Sequence, residues 1–264
     1  MFDLHTHHDR CGHAVGSLRQ MIEAAVDAGL DTIGVSDHSP FFAEPVDHFK
    51  PWVAMAKSEF PNYIAEALAL REEFRDRITV LVGVESDFFD EHVELYRRIF
   101  RDYPLDYIIG SVHVLGDTDI FDPARWEGAD LVAEKEKYCA AVGRSARCGA
   151  FDILGHVDAI KGNRPEIADI ATPAVDRMLR DIAQADVVME VNTSGGTKPV
   201  GGWYPSPDVL ARAAFYGVKV TFGSDAHRPD RVGEDFEAVR RHLRDLGYRH
   251  WHLFRARNRE QRPL

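Results

Sequence analysis

Asp3-Leu4-His5-Thr6-His7 opens the chain with two imidazoles two residues apart, and Ser224-Asp225-Ala226-His227 repeats the spacing near the other end. On an extended strand, residues i and i+2 project from the same face, so each pair can close on one ion. Working inward, further ligand-type residues each stand where a short apolar run stops. His38 ends Gly34-Val35-Ser36-Asp37-His38, Glu85 ends Val82-Gly83-Val84-Glu85, His113 ends Gly110-Ser111-Val112-His113, and His156 ends Leu154-Gly155-His156. His13 follows in the loop after the first run.

The apolar runs themselves predict strands at 2–5, 31–37, 79–86, 106–112, 152–156, 186–192 and 217–224. Each precedes a helix-period segment, at about 17–29, 59–76, 90–102, 127–148, 172–185, 207–216 and 232–245. Seven β-then-α units argue for parallel strands with crossover helices, hence an α/β barrel or a doubly wound sheet. Ser17 with Gln20 reads as a capping box, and Thr172-Pro173 and Ser206-Pro207 as capping residues before a first-turn proline. The stretches 38–58 and 193–206, rich in Pro or Gly, read as long loops over one end of the fold.

In a parallel barrel all strand C-termini open on one face, the usual seat of catalysis. His5, His7, His13, His38, Glu85, His113, His156, Asp225 and His227 then converge on one mouth. A lone histidine at a strand end is more often a satisfied polar residue than a ligand. Six strands ending in such residues at one edge are poorly explained by accident. His48, His92, His242, His250 and His252 lie in loops, helices or the tail and read as surface or packing residues; His8 is a candidate to support a ligand from behind. Seven imidazoles with two carboxylates suit Zn, Mn or Fe better than Mg or Ca. Nine side chains are too many for one ion and comfortable for three, with Glu85 the natural bridge. Three divalent ions less two carboxylates leave a charge of about +4, which suits a phosphate dianion and a hydroxide.

Composition sets the outer bounds. At 264 residues, 45% hydrophobic and 28% charged, the chain can build one full barrel domain spanning 1–264. A net charge of -11 disfavours sequence-independent nucleic-acid binding. Cys11, Cys139 and Cys148 form neither a disulfide framework nor a C-x-x-C site. The N-terminus shows no leader-type segment, and no run approaches a membrane span, so a cytoplasmic protein is expected. The arginines at 249, 255, 257, 259 and 262 read as a solvated tail rather than a nucleic-acid arm.

With these residues in hand, the chain resembles the PHP (polymerase and histidinol phosphatase) superfamily. The motifs are DLHTH at 3–7, DH at 37–38, Glu85, SVH at 111–113, GH at 155–156 and SDAH at 224–227. More narrowly it resembles the histidinol-phosphatase branch, through Tyr103-Pro104-Leu105-Asp106-Tyr107, Glu190-Val191-Asn192-Thr193-Ser194-Gly195, Tyr204-Pro205-Ser206 and Val220 to Pro229. The resemblance implies a distorted (β/α)7 barrel and a trinuclear site. One metal would take His5, His7, Glu85 and Asp225, a second Glu85, His113 and His156, and a third His13, His38 and His227. It further implies hydrolysis of a phosphate monoester, L-histidinol phosphate above all; a relative acting on nucleotide or other phosphate esters is the alternative. The loop Gly116 to Asp122 departs from the Trp-containing loop common after SVH.

Among basic residues, Lys161, Arg164, Lys198 and Arg228 are best placed along the chain to contact phosphate. Glu85, Asp225 and His227 are the catalytic candidates, with Asp225 or His227 as the acid for the leaving alkoxide. Phe41, Phe42, Trp52, Phe121, Trp126, Trp203 and Tyr204 offer flat surfaces, and Asp119 and Asp122 could meet a cationic substrate. An amidohydrolase-like C–N hydrolase and a non-catalytic metal-binding module are the rivals; the intact set of nine favours a three-metal phosphatase over both. Oligomeric state is not legible.

Overall fold

The computed structural model describes residues 1–264. Seven parallel strands alternate with seven helices: β1 Phe2–Asp3, α1 Leu18–Asp27, β2 Thr32–Val35, α2 Phe60–Phe74, β3 Thr79–Asp87, α3 Val93–Phe100, β4 Tyr107–Ser111, α4 Leu131–Arg147, β5 Ile153–Leu154, α5 Ala174–Ala185, β6 Val188–Asn192, α6 Pro207–Phe215, β7 Val220–Gly223 and α7 Phe236–Asp245. The strands neighbour one another in sequence order. Leu4 N donates to Phe222 O (3.2 Å) and Thr6 bridges Ala226 in parallel, so β7 returns to β1 and the sheet is a barrel, not a doubly wound layer.

All seven predicted strand–helix pairs are present; six strands are shorter than their apolar runs, and β3 runs one residue further, to Asp87. Bridges Thr6↔Ala226 and His38↔Glu85 continue the pairing past the strands proper. The Ser17–Gln20 capping box forms as read, whereas Ser206 caps α6 by position only, without a side-chain bond. Thr172 Oγ1 accepts from Ala174 N at 3.3 Å.

Side chains fill the barrel. Tyr107 crosses the interior, its hydroxyl donating to Leu4 O at 2.6 Å. It lies where a Cβ on Gly34 or Gly83 would be, 2.0 Å from the hydroxyl and 2.4 Å from the ring, so those two glycines make room for it.

Residues 249–263 are not a solvated tail. His250–Arg255 and Asn258–Pro263 form an antiparallel hairpin, with Trp251, Leu253 and Phe254 buried beside β7. Trp251 packs edge-on to Phe2 at 5.1 Å and against Phe236 at 4.9 Å. The arginines are tied down by distant carboxylates: Arg257 by Asp152, Arg259 by Asp186 at 2.7 Å and Arg262 by Asp31 at 2.6 Å. The hairpin turns at Ala256-Arg257, both at positive φ as a type I′ turn requires, without the Asn-Gly signature that would betray it. A second small hairpin, Val114–Leu115 with Thr118–Asp119, also escaped the sequence pattern.

Candidate metal centre

All nine ligand-type residues gather at the C-terminal mouth. The strand-end bridges and Asp3 lock the two motif segments together: Asp3 is fully buried and accepts from His5 N (3.1 Å), Ser224 N (2.9 Å) and Gly233 N (2.8 Å). Glu85 is the hub. Its Oε2 lies 2.8 Å from His38 Nδ1, 3.4 Å from His5 Nε2 and 3.5 Å from His7 Nε2. Its Oε1 lies 3.0 Å from His156 Nε2 and 3.6 Å from His113 Nε2, and accepts from Ser111 Oγ at 2.6 Å. Asp225 Oδ1 stands 3.0 Å from His7 Nε2 and 3.7 Å from His5 Nε2. At the outer rim His13 Nε2 and His227 Nε2 approach to 2.9 Å.

Behind the imidazoles stand carboxylates. His5 Nδ1 meets Glu190 at 2.7 Å, His7 Nδ1 meets Asp37 at 3.2 Å and His113 Nδ1 meets Asp87 at 3.1 Å. With Nδ1–H donating backward, each Nε2 lone pair faces the centre, the arrangement metal-binding histidines use. Buried His8 shares Asp37 at 3.1 Å, which gives it the supporting place expected. The pattern of apolar runs does not by itself single out the carboxylates Asp37, Asp87 and Glu190 for this backing place. The signal was there in the last two: Asp87 stands two residues beyond Glu85, and Glu190 two before Asn192, on the same strand face.

The group can hold ions. His5 Nε2, His7 Nε2 and Glu85 Oε2 are buried without any hydrogen-bond partner. Buried polar atoms left unpaired are costly, and a cation would satisfy all three. A tetrahedral ion with bonds near 2.05 Å sets its ligand atoms roughly 3.3 Å apart, inside the observed spread of 2.8–3.7 Å. Among the nine, His5–His7–Asp225, His38–Glu85–His113 and His7–His38–His227 are groupings whose ligand atoms fall together; His7–Cys11–Asp37 forms a further one behind them.

Electrostatics divides the cluster in two. Burial opposes charge on His7, His113, His13, His227, Glu85 and Asp225. For His7 it is outweighed by Asp225 and Asp37, giving about 9, and for His113 by Asp87 and Glu85, giving about 10. His13 and His227 are instead lowered to about 4 and about 3, by burial and by neighbouring imidazoles. Glu85 and Asp225 stay ionised against burial, held well below the usual carboxylate range by His38 and His5 respectively. His7 and His113 thus draw positive charge, whereas His13, His38 and His227 offer free lone pairs.

Above the cluster opens a cleft of about 530 Å³. Lys198, Arg228 and Arg231 supply its cationic side, with Trp52 and Phe121 as flat surfaces and Asp119 as an acid. Arg231 was missed in the sequence. Two predicted phosphate contacts do not reach the cleft. Lys161 is buried, its Nζ spent on Asp158 (2.7 Å) and Trp203 O (2.9 Å), and Arg164 pairs with Glu166 (2.7 Å) while stacking over Trp126. Both lie just after His156 in sequence, but the turns there carry them away from the mouth. Asp122 caps a short helix through Ala124 N, and Phe42 packs among Phe60, Tyr96 and Phe100. Trp126 is buried, and Trp203 Nε1 donates to Asp235.

A seven-stranded α/β barrel with a histidine–carboxylate cluster under an open cleft at its C-terminal mouth defines a metalloenzyme-type scaffold. The chain belongs to the PHP domain family, whose model matches residues 3–194. It is 37% identical over 252 residues to a probable histidinol-phosphatase of Deinococcus radiodurans, covering 94% of each chain. It is 28% identical over 262 residues to the histidinol-phosphatase of Bacillus subtilis, covering 89% of this chain and 97% of that one. In fold it is similar to the crystal structure of histidinol phosphate phosphatase from Lactococcus lactis in complex with zinc, L-histidinol and phosphate, with a TM-score of 0.82, 20% identity and 98% of each chain covered.

Proposed function

We propose that this protein is a metal-dependent phosphomonoesterase that hydrolyses L-histidinol phosphate to L-histidinol and phosphate. The observation that carries the reading is the convergence of nine ligand-type groups, with His5 Nε2, His7 Nε2 and Glu85 Oε2 buried and unpaired, beneath a cleft that pairs a cationic side with flat and acidic surfaces. The curated relatives named above point to the same substrate. Residues 1–264 are proposed to act as one unit, since the C-terminal hairpin packs on β1 and β7 through Trp251.

Three divalent ions of the zinc, manganese or iron type are proposed. His5, His7, Glu85 and Asp225 would hold one, Glu85, His113 and His156 a second, and His13, His38 and His227 a third. His38, with Nδ1 2.8 Å from Glu85 Oε2, stands between the last two groups. Such ions lower the pKa of water and neutralise phosphate charge, the chemistry a phosphomonoester needs.

The chain's own residues do the rest. Lys198, Arg228 and Arg231 face the phosphate, and Asp119 beside Phe121 takes the substrate's cationic end. Asp225 is ionised and only 11% exposed at the cleft floor, so it can accept the proton lost by attacking water. His227 at about 3 is neutral at pH 7, and a bound cation would lower it further; neither it nor Asp225 is a proton donor there. Neither therefore fills the general-acid role expected of it from sequence. The deciding experiment is metal analysis of the purified protein together with phosphate release across monoesters and diesters. Preference for L-histidinol phosphate supports the reading; a strong preference for a diester overturns it.

A further inference from the structure

β6 is the one barrel strand that contributes none of the nine ligand-type residues, yet its end touches three of them. Glu190 and Asn192 stand two apart, both buried. Glu190 Oε1 accepts from His5 Nδ1 at 2.7 Å, while Oε2 accepts from His156 N at 3.0 Å and from Asn192 Nδ2 at 2.9 Å. The second Asn192 amide hydrogen points to Asp225 Oδ2 at 3.3 Å, and Asn192 Oδ1 accepts from Ser194 N at 2.9 Å. One strand thus reaches His5 after β1, His156 after β5 and Asp225 after β7.

Two further observations mark this as a built device. A Cβ on Gly223 would fall 2.1 Å from Glu190 Oε1 and 2.5 Å from His5 Cβ, so the carboxylate occupies room that only glycine leaves. His156 (φ 23°) and Asp225 (φ 53°) sit at positive φ, which non-glycine residues seldom adopt. Both are tethered to β6, one through its backbone N–H and the other through its side chain.

We infer that Glu190 and Asn192 are positioning residues that set the geometry of three ligands at once, with Glu190 fixing the tautomer of His5. The inference deepens the proposed metal centre and rests on it. Both Glu190 oxygens accept hydrogen bonds, so an amide of the same shape cannot replace it. If the Glu190→Gln NH₂ faces His5 Nδ1, the imidazole must turn its proton to Nε2 and loses the lone pair aimed at the centre. If the NH₂ faces the other way, it meets the His156 N–H and the Asn192 amide, donor against donor.

The test compares wild type, Glu190→Gln and Asn192→Ala, each folded by circular dichroism, titrated with Co²⁺ against a competing chelator. In Glu190→Gln the inference expects a 10- to 100-fold weaker affinity in at least one site, as supporting partners of ligands typically give. It also expects an altered visible Co²⁺ spectrum and a fall in kcat larger than the change in KM. Asn192→Ala should show a smaller loss of affinity. Wild-type affinity and spectrum in Glu190→Gln overturn the inference; if that variant does not fold, wild-type values in Asn192→Ala overturn it. Should wild type itself bind no Co²⁺, the metal centre fails first, and the inference with it.

Discussion

Replacing Glu85 by glutamine removes one charge from the point where five imidazoles meet. The hub distances of 2.8–3.6 Å place both oxygens within direct reach of whatever the imidazoles bind. A unit charge 4 Å from another is worth about 4 kcal/mol at an effective dielectric of 20, so about 8 kcal/mol against a divalent ion. Charge-assisted bonds are roughly twice as strong as neutral ones, and the amide oxygen keeps the neutral half. About 4 kcal/mol is then lost for each ion Glu85 touches, or roughly three decades in Kd. Because Oε1 and Oε2 face different histidines, Glu85→Gln should empty two sites together. Elemental analysis after passage over chelating resin, with chelator competition for Kd and phosphate release from L-histidinol phosphate, measures all three quantities. A full metal complement with kcat within a few-fold of wild type would refute the bridging role and the reasoning behind it.

Other expected outcomes follow from the same geometry. Lys198→Ala should cut kcat/KM for L-histidinol phosphate by about 10- to 100-fold, the worth of one charged hydrogen bond, while Arg164→Ala, already paired with Glu166 off the cleft, should leave it unchanged. The reverse order in steady-state assays would mean that the cleft wall is misassigned. Trp251→Ala should cost about 3–5 kcal/mol by opening a cavity among Phe2, Phe222 and Phe236, read as a Tm lower by roughly 10 °C. An unchanged Tm would mean that the hairpin is peripheral to the core. His252 is lowered below its ordinary 6.5, by burial first and then by nearby Arg259 and Lys219 against its bond to Val220 O. A depressed histidine pKa means the unfolded chain takes up the proton first, so its stabilisation is present above about 6.5 and fades as pH falls below that. The stability difference between wild type and His252→Gln, from denaturant midpoints at pH 7.5 and 5.5, should therefore shrink at the lower pH; a pH-independent difference would contradict the assignment.

The ligand-type residues were legible because their placement is local. An apolar run ending in His, Glu or Asp fixes a residue to a strand end, and period 2 fixes its face, so DLHTH and SDAH announce one mouth before any tertiary contact is known. What supports and surrounds them was harder to read. Glu190 meets His5 across 185 positions, and Arg262 finds Asp31 across 231 and Arg259 finds Asp186 across 73. Nothing in their immediate neighbours encodes those partners. Lys161 and Lys198 looked alike as basic residues in loops; a few turns of backbone bury one against Asp158 and set the other on the cleft wall.

The sequence alone therefore determined the seven strand–helix units, their period and the identity of the candidate ligands, all of which depend on residue type and spacing within one such unit. The tertiary structure decided that β7 closes on β1, that β6 serves by holding its neighbours' ligands, and which cations reach the cleft. Those outcomes turn on where side chains from separate units meet, and hydrogen-bond satisfaction in a buried space selects among partners that spacing along the chain leaves equivalent.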